Sequence, residues 1–340
     1  MSKYLITGAA GFIGSQLAHK LWQMKEQVVL LDNFSYGKYD NLIFEDHDFT
    51  NEILHLDIRD TEKINELFKN EKFDYVYHVA AITPLPDCQT DPVAAIDTNV
   101  RGTVTILEAG RKYGVKNIIF ASTSAVYEHC SEFPTKENDV VQPTLIYSNS
   151  KYTAEQFCKS YVDAYGMNVT VLRFANVYGP HIDCLRTQPP VAGYIIRELF
   201  FERPVELHSD GNQSRDFIYV DDLLDLALKA KNSIGFDVFN VSTGKAYSIN
   251  QMYQIIANIM HKEDYKPNYL ETDHYWYRYP ELYNGKFPIK TEIMDHEVLK
   301  HTECDNMHAI EKLGWEPKTD FVEGLKATVK FAVELISKYK

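Results

Sequence analysis

Thr7-Gly8-Ala9-Ala10-Gly11-Phe12-Ile13-Gly14 lies between a short apolar run and the start of a helical pattern. Three glycines spaced three apart let one stretch of backbone press against another, which suits a tight turn from a buried strand into a helix. Main-chain amides in such a turn reach a pyrophosphate, and the helix N-terminus behind it favours negative charge. A strand–helix turn with no ligand is the plain alternative. The position between first strand and first helix favours dinucleotide binding.

The rest of the first half agrees with that start. Residues 3–7, 27–32, 53–57, 73–79, 115–121 and 168–174 are short apolar runs rich in Val, Ile and Phe, and most are separated by longer helical patterns. This alternation predicts an α/β fold, a doubly wound parallel sheet of Rossmann-like type with helices on both faces. Its ligand crevice lies at the carboxyl ends of the strands. After Gly179, prolines at 180, 189, 190 and 204 break the alternation. We expect residues 1–179 to form the dinucleotide-binding domain, with 211–239 returning to it. Residues 180–210 and 240–340 are expected to form mainly a smaller C-terminal substrate-binding lobe. Apolar residues at helical spacing over 320–338 predict a closing helix.

Asp32 ends the second strand, 18 residues beyond Gly14. A carboxylate there accepts from an adenosine ribose and repels a 2′-phosphate, which selects NAD over NADP. An acidic strand end facing solvent is the alternative. Asp57 and Ile58, at the end of the third strand, are expected near the adenine. Tyr147 and Lys151 are four apart and share one helix face. A free phenol titrates near ~10, so an ammonium and an oxidised nicotinamide beside it are needed to make it a base at working pH. An ordinary amphipathic helix with a surface lysine is the alternative. Thr123, at the carboxyl end of the fifth strand, is placed to bridge the substrate oxygen and Tyr147.

Charge and cysteine content narrow the classes. Asp plus Glu total 48 against 35 Lys plus Arg, a net charge of -13, which disfavours nucleic acid as a partner. Five cysteines with no CxxC, and no visible signal peptide, predict a reducing, cytoplasmic setting. No apolar run approaches the ~18 residues of a membrane span. His296, His301, Cys304 and His308 match no zinc spacing, so no metal is expected. Cys88 reads as a small buried thiol, with Asp87 or Cys88 as a second acid/base group the alternative.

These parts together resemble the extended short-chain dehydrogenases/reductases that act on nucleotide sugars. The motifs are TGAAGFIG at 7–14, LDN at 31–33, HVAA at 78–81, NVRGT at 99–103, STSAVY at 122–127 and YSNSK at 147–151. They continue with RFANVYGP at 173–180, QSRDFIYVDD at 213–222, FNVSTGKAYSI at 239–249 and EKLGW at 311–315. The resemblance implies Thr123, Tyr147 and Lys151 as catalytic hydroxyl, base and lysine. It implies NAD held by Gly8, Gly11, Phe12, Ile13, Gly14, Asp32, Asn33, Asp57, Ile58, Ala80, Tyr147 and Lys151. It implies a nucleotide-diphosphate sugar held by Thr83, Thr123, Asn176, Arg215 and Arg278. It also implies a homodimer through helices near 99–113 and 150–165.

Family members oxidise a sugar hydroxyl, commonly at C4, and the next step depends on further acid/base groups. Dehydratases and decarboxylases of the family place acidic residues just after the Thr, where this chain has Ser124 and Ala125. The expected activity is therefore an NAD-dependent nucleotide-sugar 4-epimerase working through a transient 4-keto sugar. The alternatives are a C4 dehydrogenase that stops at the keto sugar and, behind it, a dehydratase. Two departures stand out: Glu128 follows Tyr127 where the family has Gly, and residues 294–298 lack the family's late Arg. Arg215, with Arg278, Lys286 or Lys290, is expected to take over pyrophosphate binding.

Overall fold

A computed structural model describes residues 1–339. The N-terminal elements are β1 (Lys3–Thr7), α1 (Phe12–Gln23), β2 (Gln27–Asp32), β3 (Ile53–His55), α2 (Thr61–Glu71) and β4 (Tyr75–His78). Then come α3 (Leu85–Thr90), α4 (Pro92–Ile96), α5 (Thr103–Tyr113), β5 (Asn117–Thr123), α6 (Ile146–Tyr165) and β6 (Val169–Phe174). The chain continues through β7 (Asn176–Tyr178), α7 (Val191–Phe200), β8 (Glu206–His208), β9 (Ser214–Tyr219), α8 (Val220–Ala230) and β10 (Phe236–Val241). It closes with β11 (Ala246–Ser248), α9 (Ile249–Ile259), β12 (Asn268–Leu270), α10 (Thr291–Leu299), α11 (Met307–Leu313) and α12 (Phe321–Lys338). Seven parallel strands form one sheet in the order β10-β6-β5-β4-β1-β2-β3.

Alternation along the strands sets the two faces. Tyr4 and Ile6 of β1 join Leu17 and Leu21 of α1 and Leu223 and Leu224 of α8 on one side. Leu5 points the other way, with Phe68 of α2, Ile106 of α5 and Cys158 of α6. Strand order reverses between β1 and β4, so a crevice opens at their carboxyl ends.

A second apolar cluster gathers Ile195 and Leu199 of α7, Met252 and Ile256 of α9, and Leu325 and Ala332 of α12. α12 covers 321–338 because its apolar residues repeat at helical spacing and Asp320 caps its first amides. The expected 240–340 lobe is interrupted, however. Ala309 and Trp315 pack into the sheet's own core, and the Trp315 indole donates to the Asp222 carbonyl at 2.9 Å. Among the described residues no helix is long and apolar enough to cross a membrane.

β3 ends at His55 rather than at 57. The Asp57 carboxylate turns to Arg59, accepting from its amide at 2.8 Å and from its guanidinium at 2.9 and 2.8 Å. The β2–β3 ladder stops at the Asp32–His55 pair, before Asp57. α6 begins earlier than the 150–165 expected and carries Tyr147 in its first turn.

Candidate active site

The glycine turn is built for contact. Gly8 has φ +72°, and a Cβ there would lie 2.7 Å from the Ala80 nitrogen. A Cβ on Gly14 would lie 2.1 Å from the Gly8 carbonyl oxygen. Gly11 is different: its Cβ would meet only that same carbonyl, at 3.2 Å. α1 follows with no capping side chain and no acid in its first turn. The opening amides, those of Phe12 and Ile13 among them, therefore lack a side-chain acceptor and suit a phosphate.

Asp32 is buried at the end of β2, which pushes its carboxyl up, while amides pull it back. It accepts from the amides of Ala10 at 3.0 Å and Phe34 at 2.7 Å. Each oxygen keeps a further lone pair for a ribose hydroxyl. Asn33 donates to Asp57 at 2.8 Å, and Ile58 is buried against Gly102. The Asp57 carboxylate is thus committed to Arg59 and Asn33, whose hydrogen bonds hold it well below the usual range. An uncapped helix start, a glycine cradle and a ribose-side carboxylate fit a dinucleotide.

Across the crevice, Thr123 ends β5 and accepts from the Ala125 amide at 3.1 Å. Its hydroxyl lies beside the Tyr147 phenol and favours the ionised form. Burial outweighs that, and in the protein alone the phenol is pushed up to about 12. The expected low phenol pKa is therefore not produced by these side chains without a cationic ligand. Lys151 lies one turn further along α6, with its Nζ 4.2 Å above the Phe120 ring. Burial holds its ammonium down to about 8. The turn is braced from behind: Asn99 donates to Ser150 at 3.0 Å, and Ser150 donates to the Tyr147 carbonyl at 2.7 Å.

A cavity of about 440 Å³ extends from Thr123 and Tyr147 into the lobe. Thr83, Asn176, Arg215 and Arg278 line it. Lys286 and Lys290 do not; both are exposed. Two cations missed in the sequence, Arg186 and Lys300, line it as well. No short motif marks either one. Arg215 is not free: its guanidinium donates to the carbonyls of Ser214 at 3.0 Å, Glu297 at 3.0 Å, Val298 at 3.2 Å and Lys300. Three of these carbonyls lie at the C-terminal end of α10, where a cation complements the helix dipole. Four buried polar atoms on the cavity wall lack partners: Gln188 Oε1, His208 Nδ1, Gln213 Oε1 and Thr302 Oγ1. Each costs about 1–3 kcal/mol if left unpaired, so the wall is complementary to a polar ligand.

The other candidates resolve simply. Cys88 is buried, donates to the Ile82 carbonyl at 3.4 Å, and has its thiol pushed up to about 12 by burial. Asp87 accepts from the Tyr36 hydroxyl at 2.7 Å. His296 lies beside the His129 ring, His301 meets Ser214, and His308 meets Asp237 at 3.0 Å. Among the described residues, no three His, Cys, Asp or Glu side chains converge as a metal site.

Comparison with known proteins agrees with this geometry. The sequence model of the NAD dependent epimerase/dehydratase family matches residues 4–242. A UDP-glucose 4-epimerase of Mycolicibacterium smegmatis is 30% identical over 329 residues, covering 96% of this chain and 97% of its own. The crystal structure of a UDP-glucose 4-epimerase from Thermotoga maritima, with UDP-glucose, superposes with a TM-score of 0.84 at 32% identity. That match covers 98% of this chain and 99% of the other. A UDP-glucose 4-epimerase from Thermus thermophilus, in complex with NAD, gives 0.81 at 27% identity over 97% and 98% of the two chains. With its glycine cradle, its Thr–Tyr–Lys constellation and this family match, the chain belongs to the NAD dependent epimerase/dehydratase family and is an NAD-using enzyme.

Proposed function

We propose that the protein interconverts the C4 epimers of a UDP-hexose through a transient 4-keto sugar. The observation that carries this reading is the meeting of Thr123 and Tyr147 at one end of a cavity lined by Arg186, Arg215, Arg278 and Lys300. Arg186, Arg278 and Lys300 suit a diphosphate, with Lys300 shared with Glu297 at 2.6 Å and Arg278 beside Glu206 at 3.9 Å, and the hydroxyl pair suits a sugar hydroxyl. NAD, when bound, supplies reversible two-electron oxidation at C4. Tyr147 takes the C4 hydroxyl proton, with Thr123 hydrogen-bonded to both, and returns it after the sugar has turned over. Lys151, with a pKa near working pH, keeps positive charge close to that phenol. Ser124 and Ala125 line the cavity beside Thr123 and offer no titratable group for eliminating water. The UDP and hexose assignments rest on the relatives named above.

The reading also includes a homodimer through α5 and α6. Val93 and Ile96 on the adjoining α4, and Phe157 on α6, are exposed at 76%, 50% and 40%. Exposed apolar side chains on these helices suit a partner surface. Five free cysteines, four of them buried, fit a reducing cytoplasm.

The test is product mass. Purified protein is incubated with UDP-glucose, UDP-galactose and other nucleotide sugars, without added NAD. A new chromatographic peak of unchanged mass is expected. A product lighter by two hydrogens would instead make the enzyme a dehydrogenase, and loss of water would make it a dehydratase. Tyr147→Phe should lower kcat by about 10²–10⁴-fold, the range for losing a general acid/base.

A further inference from the structure

The epimerase mechanism above makes no use of Glu128. It is 6% exposed. Its carboxylate accepts four hydrogen bonds, all from the short segment that leads into and opens α6. The Thr144 amide donates at 2.7 Å and the Thr144 hydroxyl at 2.8 Å. The Leu145 amide donates at 3.2 Å and the Ser148 hydroxyl at 3.0 Å. Burial alone would raise this carboxyl, yet these donors outweigh burial and hold it below its usual range.

Leu145 is the N-cap of α6 and offers no side-chain cap of its own. Glu128 holds the N-cap amide of Leu145 and the Thr144 amide before it, as the acid of a capping box holds an N-cap amide. Its negative charge also sits at the positive end of the helix dipole. The geometry has a second consequence. Glu128 is five residues beyond Thr123, on the short turn that continues β5. Its donors Leu145 and Ser148 bracket Tyr147. One side chain thus joins the strand end that carries the hydroxyl to the helix turn that carries the phenol. His296, Lys300 and His301 face it across a side cavity of about 130 Å³. None of the three is among its hydrogen-bond donors, so the anchor runs to α6 alone.

We propose that Glu128 is a positioning residue of the reaction, fixing Tyr147 against Thr123 by tying the start of α6 to the end of β5. It acts through Tyr147 and does not touch substrate. The proposal rests on the epimerase reading for its assay only. If the wild-type protein epimerises no nucleotide sugar, that reading fails first; if it does, the variants below judge Glu128 separately.

The test compares Glu128→Gln and Glu128→Asp with wild type as NAD-loaded enzymes. Gln removes the charge and sets an N–H against the Thr144 hydroxyl that donates to the other carboxylate oxygen, whereas Asp keeps the charge. Small misplacement of a reacting group costs up to about 100-fold, so kcat of Glu128→Gln should fall roughly 10- to 100-fold. KM should stay within about twofold, because the substrate wall is untouched. Glu128→Asp should recover most of the loss. An unchanged kcat, or kcat and KM moving together, would overturn the proposal. Should Glu128→Gln fail to fold, Thr144→Ala and Ser148→Ala each remove one donor. Each should lower kcat alone, and unchanged kcat in both would equally overturn it.

Discussion

Burial holds the Lys151 ammonium down to about 8, against an ordinary value near 10.5. A base whose pKa is lowered by folding destabilises the fold while charged. That cost is full below about 8 and fades as pH rises toward 10.5. A shift of this size is worth about 3 kcal/mol, partly offset by the Phe120 ring beneath the ammonium. Lys151→Met should therefore melt higher than wild type at pH 7, with the gap closing toward pH 10, while epimerase activity is lost. Calorimetry across that range checks it. Equal melting at pH 7 would mean that the buried ammonium carries no strain. The site keeps a charge that the fold alone does not favour.

The turn and the elements beside it set the cofactor side. Gly14→Ala would press a methyl onto the Gly8 carbonyl, a backbone atom that cannot move aside. We expect a stability loss of about 1–3 kcal/mol together with loss of bound NAD. Gly11→Ala should differ: its Cβ meets only one protein atom, so stability should change less while NAD is lost equally. Urea unfolding, paired with the absorbance of released cofactor, separates the two effects. If Gly11→Ala retains NAD, the open space at Gly11 is not the pyrophosphate seat. Behind the turn bearing Tyr147, elements are tied by a buried ion pair. Arg173 of β6 donates to Glu155 of α6 at 2.7 and 3.1 Å and to the Tyr127 hydroxyl at 2.8 Å. The α6 helix is therefore anchored to the sheet by charge as well as by its apolar face.

At the scale of the molecule, sheet and lobe share one cavity, and the proposed homodimer through α5 and α6 would bury Phe157 of α6. Phe157→Glu should convert a dimer to monomer in sedimentation without disturbing the fold, since Phe157 is 40% exposed. A dimer unaffected by that change would move the interface elsewhere. The sequence by itself determined whatever depends on contiguous residues. The glycine turn follows from close backbone contact, the sheet from alternating apolar runs, and the Tyr147–Lys151 pair from the pitch of one helix. Tertiary structure alone decided which distant groups meet. Arg215, read as a pyrophosphate contact, is taken up by carbonyls 82 to 85 residues away. Glu128 finds donors 16 to 20 residues on. Arg186 and Lys300 join the cavity wall from separate segments. The 307–315 stretch leaves the lobe for the sheet because Ala309 and Trp315 are buried there. Local spacing encodes turns and periodicity, whereas a buried polar group takes whichever partner packing brings within reach, because leaving it unpaired is costly.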